Sequence, residues 1–163
     1  MKKIGLISDT HSYWDDRYIK YFEPCDEIWH AGDIGSTEII EKLSSFRKFR
    51  GVYGNIDNQE IRLILPEMQR FQIEGADVLI KHIGGYPGKY TTPIRNIMKS
   101  NPPTLFISGH SHILKVLYDK QYKLLHINPG AAGIYGFHTV RTLVRFTISE
   151  GNFSDLEVIE LSE

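Results

Sequence analysis

Residues 3–11 read Lys3-Ile4-Gly5-Leu6-Ile7-Ser8-Asp9-Thr10-His11, a short apolar run that ends in polar residues. The apolar part, residues 3–7, predicts a buried β-strand. In an extended chain, residues two apart project to the same side, so Asp9 and His11 can chelate one ion together. Taken alone, this Asp-x-His pair is more typical of a turn-capping aspartate beside a solvated histidine.

The segments that follow alternate between predicted strands and helices. Residues 27–31 and 52–53 repeat the short apolar run and predict a second and a third strand. Between them, residues 36–46 carry apolar side chains at helical spacing behind a serine or threonine N-cap, which predicts a helix and completes a βαβ unit. Residues 58–65 predict a shorter helix that stops before Pro66, because the residue preceding a proline avoids the α conformation.

Strands dominate the second half of the chain. Residues 71–73 and 78–81 predict a hairpin that turns at Gly75, and residues 93–99 predict a helix before a proline breaker. Further strands are predicted at residues 105–107, 114–118, 124–127, 143–148 and 153–159. The predicted fold class is α/β, a four-layer αββα sandwich of two packed mixed β-sheets flanked by helices, and we expect a single domain over residues 1–163.

Composition and charge restrict the classes of function. Hydrophobic residues make up 41% of the chain and charged residues 24%, which is ordinary for a globular protein. The net charge of -1 provides no basic surface for long duplex nucleic acid, and no apolar run approaches the roughly 20 residues that a membrane-spanning helix needs. The lone Cys25 and the absence of a recognisable signal segment lead us to expect a cytoplasmic protein. A homo-oligomer is left open.

Four further polar motifs follow predicted strands. They are Gly32-Asp33, Gly54-Asn55-Ile56-Asp57, His82 before Gly84-Gly85, and Ser108-Gly109-His110-Ser111-His112. Each has an ordinary alternative interpretation. Asp33 is about as well explained as a helix cap, Asn55 alone is better explained by an Asx turn, and a His-x-His pair also occurs by chance.

The five motifs together are more informative than any one of them alone. Five successive strand ends carry Asp-x-His, Gly-Asp, Gly-Asn, His and Gly-His-x-His. Ligands in open α/β sheets bind at the carboxyl ends of the strands, so the pattern predicts a metal site at one edge of the sheet. The seven candidate donors are Asp9, His11, Asp33, Asn55, His82, His110 and His112.

In order and spacing these motifs resemble those of the calcineurin-like metallophosphoesterases. The resemblance covers residues 4 to about 133, and the turn Asn128-Pro129-Gly130 is similar to that of the small bacterial and archaeal phosphodiesterase branch. The resemblance implies two metal ions that share Asp33. One ion would take Asp9, His11, Asp33 and His112, and the other Asp33, Asn55, His82 and His110.

The activity implied by the resemblance is that of a metal-dependent phosphodiesterase, in which a hydroxide bridging two divalent ions attacks a phosphate ester. Metal coordination lowers the pKa of water from ~15.7 towards ~7, which creates a nucleophile at neutral pH. Mixed imidazole, carboxylate and amide donors suit manganese, iron, zinc or nickel, and the resemblance favours manganese. The expected partner is a small phosphodiester or phosphomonoester.

Two alternatives stay open. A phosphomonoesterase or nucleotidase would use the same metal ions and differ only in its outer contacts. A non-catalytic protein-assembly scaffold would share the fold, as a retromer subunit does, so the fold alone does not decide the function.

The sequence also departs from the family pattern at three places. Ile56 stands where many larger relatives have a histidine that can protonate the leaving group, so we expect diesters with good leaving groups to be cleaved best. Ile83 follows His82 without the second histidine that is frequent in relatives, and Ala131 replaces a frequent serine. These departures concern substrate and rate more than metal binding.

The segment after Asn128-Pro129-Gly130 is the candidate for substrate contacts. It can pass over the metal edge, so His138 and Arg141 are predicted to reach the phosphate oxygens, Arg141 through its planar pair of donors and His138 as a donor of a hydrogen bond or a proton. The alternative is a solvated loop. His30 and His126 are expected to be packing residues and not metal ligands.

Overall fold

A computed structural model describes residues 1–161. Within that range the strands are β1 (Lys2–Ile7), β2 (Glu27–His30), β3 (Lys48–Gly51), β4 (Met68–Ile73), β5 (Ala76–Lys81), β6 (Leu105–Ile107), β7 (Lys115–Asp119), β8 (Leu124–Asn128), β9 (Thr142–Ser149) and β10 (Asn152–Glu160). The helices are α1 (Arg17–Phe22), α2 (Thr37–Phe46), α3 (Gln59–Ile64) and α4 (Thr92–Ser100). Helix and strand therefore alternate early in the chain, and strands dominate later.

The strands form two five-stranded mixed sheets. The first has the order β10-β9-β1-β2-β3, in which β1, β2 and β3 are parallel and β9 and β10 are antiparallel. The second has the order β4-β5-β6-β8-β7, in which β5, β6 and β8 are parallel and β4 and β7 are antiparallel. Each sheet thus sends the carboxyl ends of its parallel strands to one edge, where ligands bind in such sheets.

Alternating side chains produce the layers. In β1, Ile4 and Leu6 join the apolar core between the sheets, whereas Ile7 faces the helices. A second apolar cluster packs α1, α2 and α3 on the first sheet, and a third packs Ile94 and Met98 of α4 against Phe106 of β6. This arrangement confirms the predicted αββα sandwich.

Two local features differ from the sequence prediction. The third strand is Lys48–Gly51, earlier than the predicted residues 52–53. It lies at the edge of its sheet and is only partly buried, so charged residues replace the apolar run that marks a buried strand. The helix Arg17–Phe22 was not predicted, because six residues with only two buried positions give a weak helical period.

The other predicted elements are present with small changes at their ends. Ser36 caps α2 by accepting a hydrogen bond from the Glu38 N–H, as its position predicts, and Asn58 caps α3 through the Ile61 N–H. Within residues 1–161, no helix is long and apolar enough to cross a membrane.

Candidate metal centre

All seven predicted donors lie at the edge of the sandwich where the central strands end. Six of them form two groups whose ligand atoms lie within 4.8 Å of one another: Asp9, His11 and His112, and Asp33, His82 and His110. Asn55 adjoins the second group, because its Oδ1 lies 3.0 Å from Nδ1 of His110. The grouping matches the division between two ions that the family resemblance implies.

Each group combines residues from both sheets. Asp9 and His11 follow β1 of the first sheet, while His112 follows β6 of the second. Asp33 follows β2, while His82 and His110 follow β5 and β6. The packing of the two sheets therefore assembles the site.

Asp33 occupies the position between the two groups. Its Oδ2 lies 3.4 Å from Nε2 of His11 in one group and 3.2 Å from Nε2 of His82 in the other. Its Oδ1 accepts a hydrogen bond of 3.1 Å from the Ile56 N–H, which fixes the carboxylate. One oxygen is thus held by the backbone, and the other is directed between the two candidate ion positions.

Three buried polar atoms at the centre lack a hydrogen bond. Within residues 1–161, Oδ1 of Asp9, Nε2 of His11 and Nε2 of His82 are buried without a hydrogen-bond partner, although Oδ1 of Asp9 lies 3.2 Å from Nε2 of His112. Unpaired buried polar groups are costly and are normally satisfied by a partner. Divalent cations would supply that partner for all three atoms, so the residues fit a metal centre.

Hydrogen bonds behind the ligands direct their free atoms to the centre. Nδ1 of His82 lies 2.7 Å from the carbonyl oxygen of Ala31, which can only accept, so Nδ1 carries a proton and a neutral ring presents its lone pair at Nε2. Oδ2 of Asp9 accepts from the Ser8 hydroxyl at 2.6 Å, leaving Oδ1 for an ion. Such outer contacts orient metal ligands in proteins.

His112 is oriented by His138. Nε2 of His138 lies 2.7 Å from the carbonyl oxygen of Gly133 and must donate to it. Nδ1 of a neutral His138 is then an acceptor, and it lies 3.2 Å from Nδ1 of His112. His112 therefore donates from Nδ1, which leaves its Nε2 lone pair for an ion that Asp9 would share.

The ligands perturb one another's ionisation. Burial acts to raise the pKa of Asp9 and of Asp33, but the neighbouring imidazoles outweigh it and lower both below the ordinary range. Asp33 first and then Asp9 raise the pKa of His11 to about 9. Burial acts to lower the pKa of His82, and the two carboxylates outweigh that effect and raise it. The two carboxylates thus create a site that favours cations.

The backbone is strained where it presents the ligands. Asp9, His11, Asp33, His110 and His112 all have positive φ, between 44° and 73°. Non-glycine residues in this region cost roughly 1 kcal/mol or more each and cluster at functional sites. Gly54 is required by a close approach, because a Cβ there would overlap the Asp33 carboxylate.

Asp57 ties two of the ligand loops together, a role that the sequence did not assign to it. Its Oδ1 accepts from the Gly35 N–H at 2.8 Å, and its Oδ2 accepts from the N–H groups of Gly54 at 2.7 Å and Ile34 at 3.2 Å. The loop that carries Asp33 is thereby fastened to the loop that carries Asn55.

The two predicted substrate-contact residues lie in different surroundings. His138 lines the cavity at the metal centre, and both of its ring nitrogens are engaged, by Gly133 and by His112. Arg141 donates instead to the carbonyl oxygen of Ala132, to Asp15 and to Tyr18. The structure brings His138 to the site, and it commits the guanidinium of Arg141 to contacts beside α1.

A site of histidines, carboxylates and an amide across the carboxyl edges of two stacked mixed sheets is typical of metal-dependent phosphoesterases. The family model described as the calcineurin-like phosphoesterase superfamily domain matches residues 1–151, and the chain belongs to that superfamily. Membership implies divalent metal ions, and the two groups of ligands described above are where they would bind. The predicted family is therefore confirmed.

A relative agrees with this assignment, and solved structures share the fold. A probable metallophosphoesterase from Methanothermobacter thermautotrophicus is 30% identical over 135 residues, which cover 78% of this chain and 76% of the relative. The structure of an archaeal phosphodiesterase shares the fold, with a TM-score of 0.79, 23% identity and coverage of 98% of this chain and 99% of that one. Vps29 from Entamoeba histolytica, solved with Zn²⁺, has a TM-score of 0.73 at 15% identity, with coverage of 98% and 99%.

Proposed function

We propose that this protein hydrolyses phosphodiesters at a centre of two divalent metal ions, for which manganese is the favoured metal. One observation carries the proposal: Oδ2 of Asp33 lies between two ligand groups, 3.4 Å from His11 and 3.2 Å from His82. A single carboxylate oxygen in that position suits a bridge between two ions roughly 3.5–4 Å apart. The probable metallophosphoesterase relative supports the same class of activity.

The proposed role of each residue follows from its contacts. Asp9, His11 and His112 hold one ion, His82, His110 and Asn55 hold the other, and Asp33 joins both. When bound, the ions would activate a water molecule and offset negative charge on the phosphate. The protein contributes a rigid, partly buried frame in which the ligand atoms are directed before the substrate arrives.

Proton donation to the leaving group is not assigned to a side chain. Ile56 occupies the position of the usual histidine and is 45% exposed at the cavity, and both ring nitrogens of His138 are engaged. Esters whose leaving groups depart without a proton should therefore react fastest. We accordingly propose that aryl diesters are better substrates than alkyl diesters.

A non-catalytic scaffold is the weaker interpretation. Assembly requires surface complementarity, whereas this chain retains a full set of donors, an outer contact for several of them, and strained backbone at five ligand positions. The Vps29 neighbour, at 15% identity, shares the fold alone. We also propose that the protein works in the reducing cytoplasm, which the free, buried thiol of Cys25 supports.

The test is release of p-nitrophenol from bis-p-nitrophenyl phosphate by protein that has been stripped with a chelator. We expect turnover to return on addition of Mn²⁺, and to be slower with the monoester p-nitrophenyl phosphate. Iron, zinc and nickel are included as alternative metals. No turnover with any of these ions would contradict the proposal, and a preference for the monoester would favour a phosphomonoesterase.

A further inference from the structure

The cavity at the metal centre has an unusual rim. It encloses about 770 Å³ and reaches from His11, Asp33 and His112 to the segment that follows Gly133. Its outer part carries apolar side chains that are largely exposed: Ile56 at 45%, Ile113 at 55%, Tyr135 at 68%, Phe137 at 106% and Val140 at 47%. We call these five residues the apolar rim.

Isolated exposed apolar residues are common and need no explanation, but contiguous patches mark binding sites. The apolar rim is contiguous with the metal ligands, because all five residues and five of the seven ligand candidates line one cavity. The ring of Tyr135 also stacks on the ring of His11, with centroids 5.0 Å apart. A molecule held at the ligands would therefore extend directly over apolar side chains.

The charge of the cavity excludes some occupants. None of the described residues that line it is a lysine or arginine, and Glu160 adds a further carboxylate at its outer end. Polyanions such as nucleic acids or nucleoside triphosphates need cationic partners beyond the metal ions. Arg62 and Lys81 line a second cavity of about 410 Å³, which Asn55 and His82 also line.

The segment that carries Tyr135 and Phe137 is attached to the metal centre. Gly136 packs against His112 so closely that a Cβ would overlap the imidazole ring. His138, one residue beyond Phe137, hydrogen bonds to His112 and to Gly133. The rim is thus positioned by the same contacts that orient a ligand.

We propose that the apolar rim binds the ester group of the substrate, and that the substrate class is phosphodiesters with an aryl or alkyl substituent. This inference rests on the proposed function and specifies its substrate. A phosphate at the ligands anchors one end, and burial of apolar surface against Phe137 and its neighbours stabilises the other. Polar substituents would gain no comparable contact.

Affinity for phosphonates provides the test, because each phosphonate carries one carbon substituent and is not hydrolysed. Calorimetry on the Mn²⁺-loaded protein would compare methyl-, 2-hydroxyethyl-, hexyl- and benzylphosphonate. We expect benzyl- and hexylphosphonate to bind at least about tenfold more tightly than methylphosphonate, the effect of burying one ring or short chain. The hydroxyethyl compound, which is polar and uncharged in its substituent, should gain nothing.

Variants at Phe137 assign the effect to the rim. Phe137→Ser should lower the benzyl-to-methyl affinity ratio severalfold, whereas Phe137→Leu, which restores an apolar side chain, should retain most of it. Neither should unfold the protein, because the Phe137 side chain is fully exposed. Leu63→Ser is the matched control, since Leu63 is 77% exposed on α3 and lies outside the cavity, and its ratio should equal that of the wild type.

The outcomes separate the two proposals. Equal affinity for all four phosphonates, with diester turnover intact, would overturn the proposal that the substrate carries an apolar substituent. The proposed function would not be affected. Failure to bind any phosphonate together with no turnover would contradict the proposed function and the inference with it. Self-association that Phe137→Ser abolishes, combined with equal affinities, would assign the rim to a contact between copies of the chain and would also overturn the inference.

Discussion

His30 and His126 are buried histidines that lie outside the candidate metal centre. His30 accepts a hydrogen bond from the Gly32 N–H, and burial lowers its pKa to about 3. His126 stacks on Phe106 and contacts the Phe106 carbonyl oxygen at 3.1 Å, and burial lowers its pKa to about 4. Both rings are therefore neutral in the folded protein at neutral and mildly acidic pH, as expected for packing residues.

These lowered pKa values make stability depend on pH. Below the ordinary histidine value of 6.5, the unfolded chain takes up a proton that the folded chain excludes until pH falls to about 4 at His126. The free energy of unfolding should therefore decrease as pH falls through that window, by up to roughly 1.4 kcal/mol per pH unit for each such histidine. His126→Phe removes one of the two groups.

Denaturant unfolding between pH 6.5 and 4.5 checks this expectation. The variant should lose stability less steeply than the wild type, by about 1 kcal/mol per pH unit. Comparison of the two proteins cancels the carboxylates and the other histidines, because both share them. Parallel pH profiles would show that His126 can take up a proton in the folded state.

The metal-ligand candidates could be predicted from sequence because each is marked locally, by a strand end and by a glycine, histidine or aspartate one or two residues away. The hydrogen bonds that orient the ligands from behind could not be predicted in this way. His138 reaches His112 across 26 residues of sequence, and Asp57 binds N–H groups of a loop that precedes it by more than 20 residues. No local pattern encodes such contacts, although Asp57 belongs to the Gly-Asn-x-Asp motif that indicated the site.

The segment between β8 and β9 is the element with the most direct effect on the site. It has little regular structure, yet it contributes His138, which hydrogen bonds to His112, and Tyr135, which stacks on His11. From its place in the sequence, His138 was predicted to contact substrate, whereas its two hydrogen bonds indicate that it positions His112. A single variant distinguishes these roles.

His138→Phe keeps a ring and removes both hydrogen bonds. We expect one of the two Mn²⁺ affinities, that of the ion held by His112, to fall roughly 10- to 100-fold, the usual effect of losing an outer contact to a metal ligand. Calorimetric metal titration measures this, and the Co²⁺ absorption spectrum should change as well, since the geometry at His112 is disturbed. His138→Gln, which keeps a planar donor and acceptor, should lose less.

Unchanged metal affinity in His138→Phe, combined with a raised Michaelis constant, would instead support the prediction from the sequence that His138 contacts the substrate. Leu63→Ala serves as the control for the substitution of an exposed side chain away from the site.

Elements with strong periodicity were predicted well, and weakly patterned ones were not. The buried strand β1 and the capped helix α2 have clear patterns, so their prediction needed no tertiary information. The edge strand β3 alternates charged residues with Phe49, and Arg50 pairs with Glu27 of β2 at 2.8 Å. The pairing of β3 depends on its contacts with β2, and the local sequence of β3 does not reveal those contacts.

At the scale of the whole molecule, the centre depends on how the two sheets pack. Each ligand group takes residues from both sheets, so the two ions would link the sheets at their carboxyl edge. The sequence predicted two sheets but not their strand order. In particular, β9 pairs with β1, placing Val144 opposite Leu6, across most of the chain. Long-range pairing of this kind is decided by packing and not by a local signal.

The metal content of wild type and Asp33→Ala tests the two-ion centre most directly. Elemental analysis after Mn²⁺ loading and removal of free ions should find two ions per chain in the wild type. Asp33→Ala should hold less than one, because both groups lose the oxygen that lies between them. Asp16→Ala, which removes an exposed carboxylate, should retain two. Two ions in Asp33→Ala, or no more than one in the wild type, would contradict a dinuclear centre bridged by Asp33.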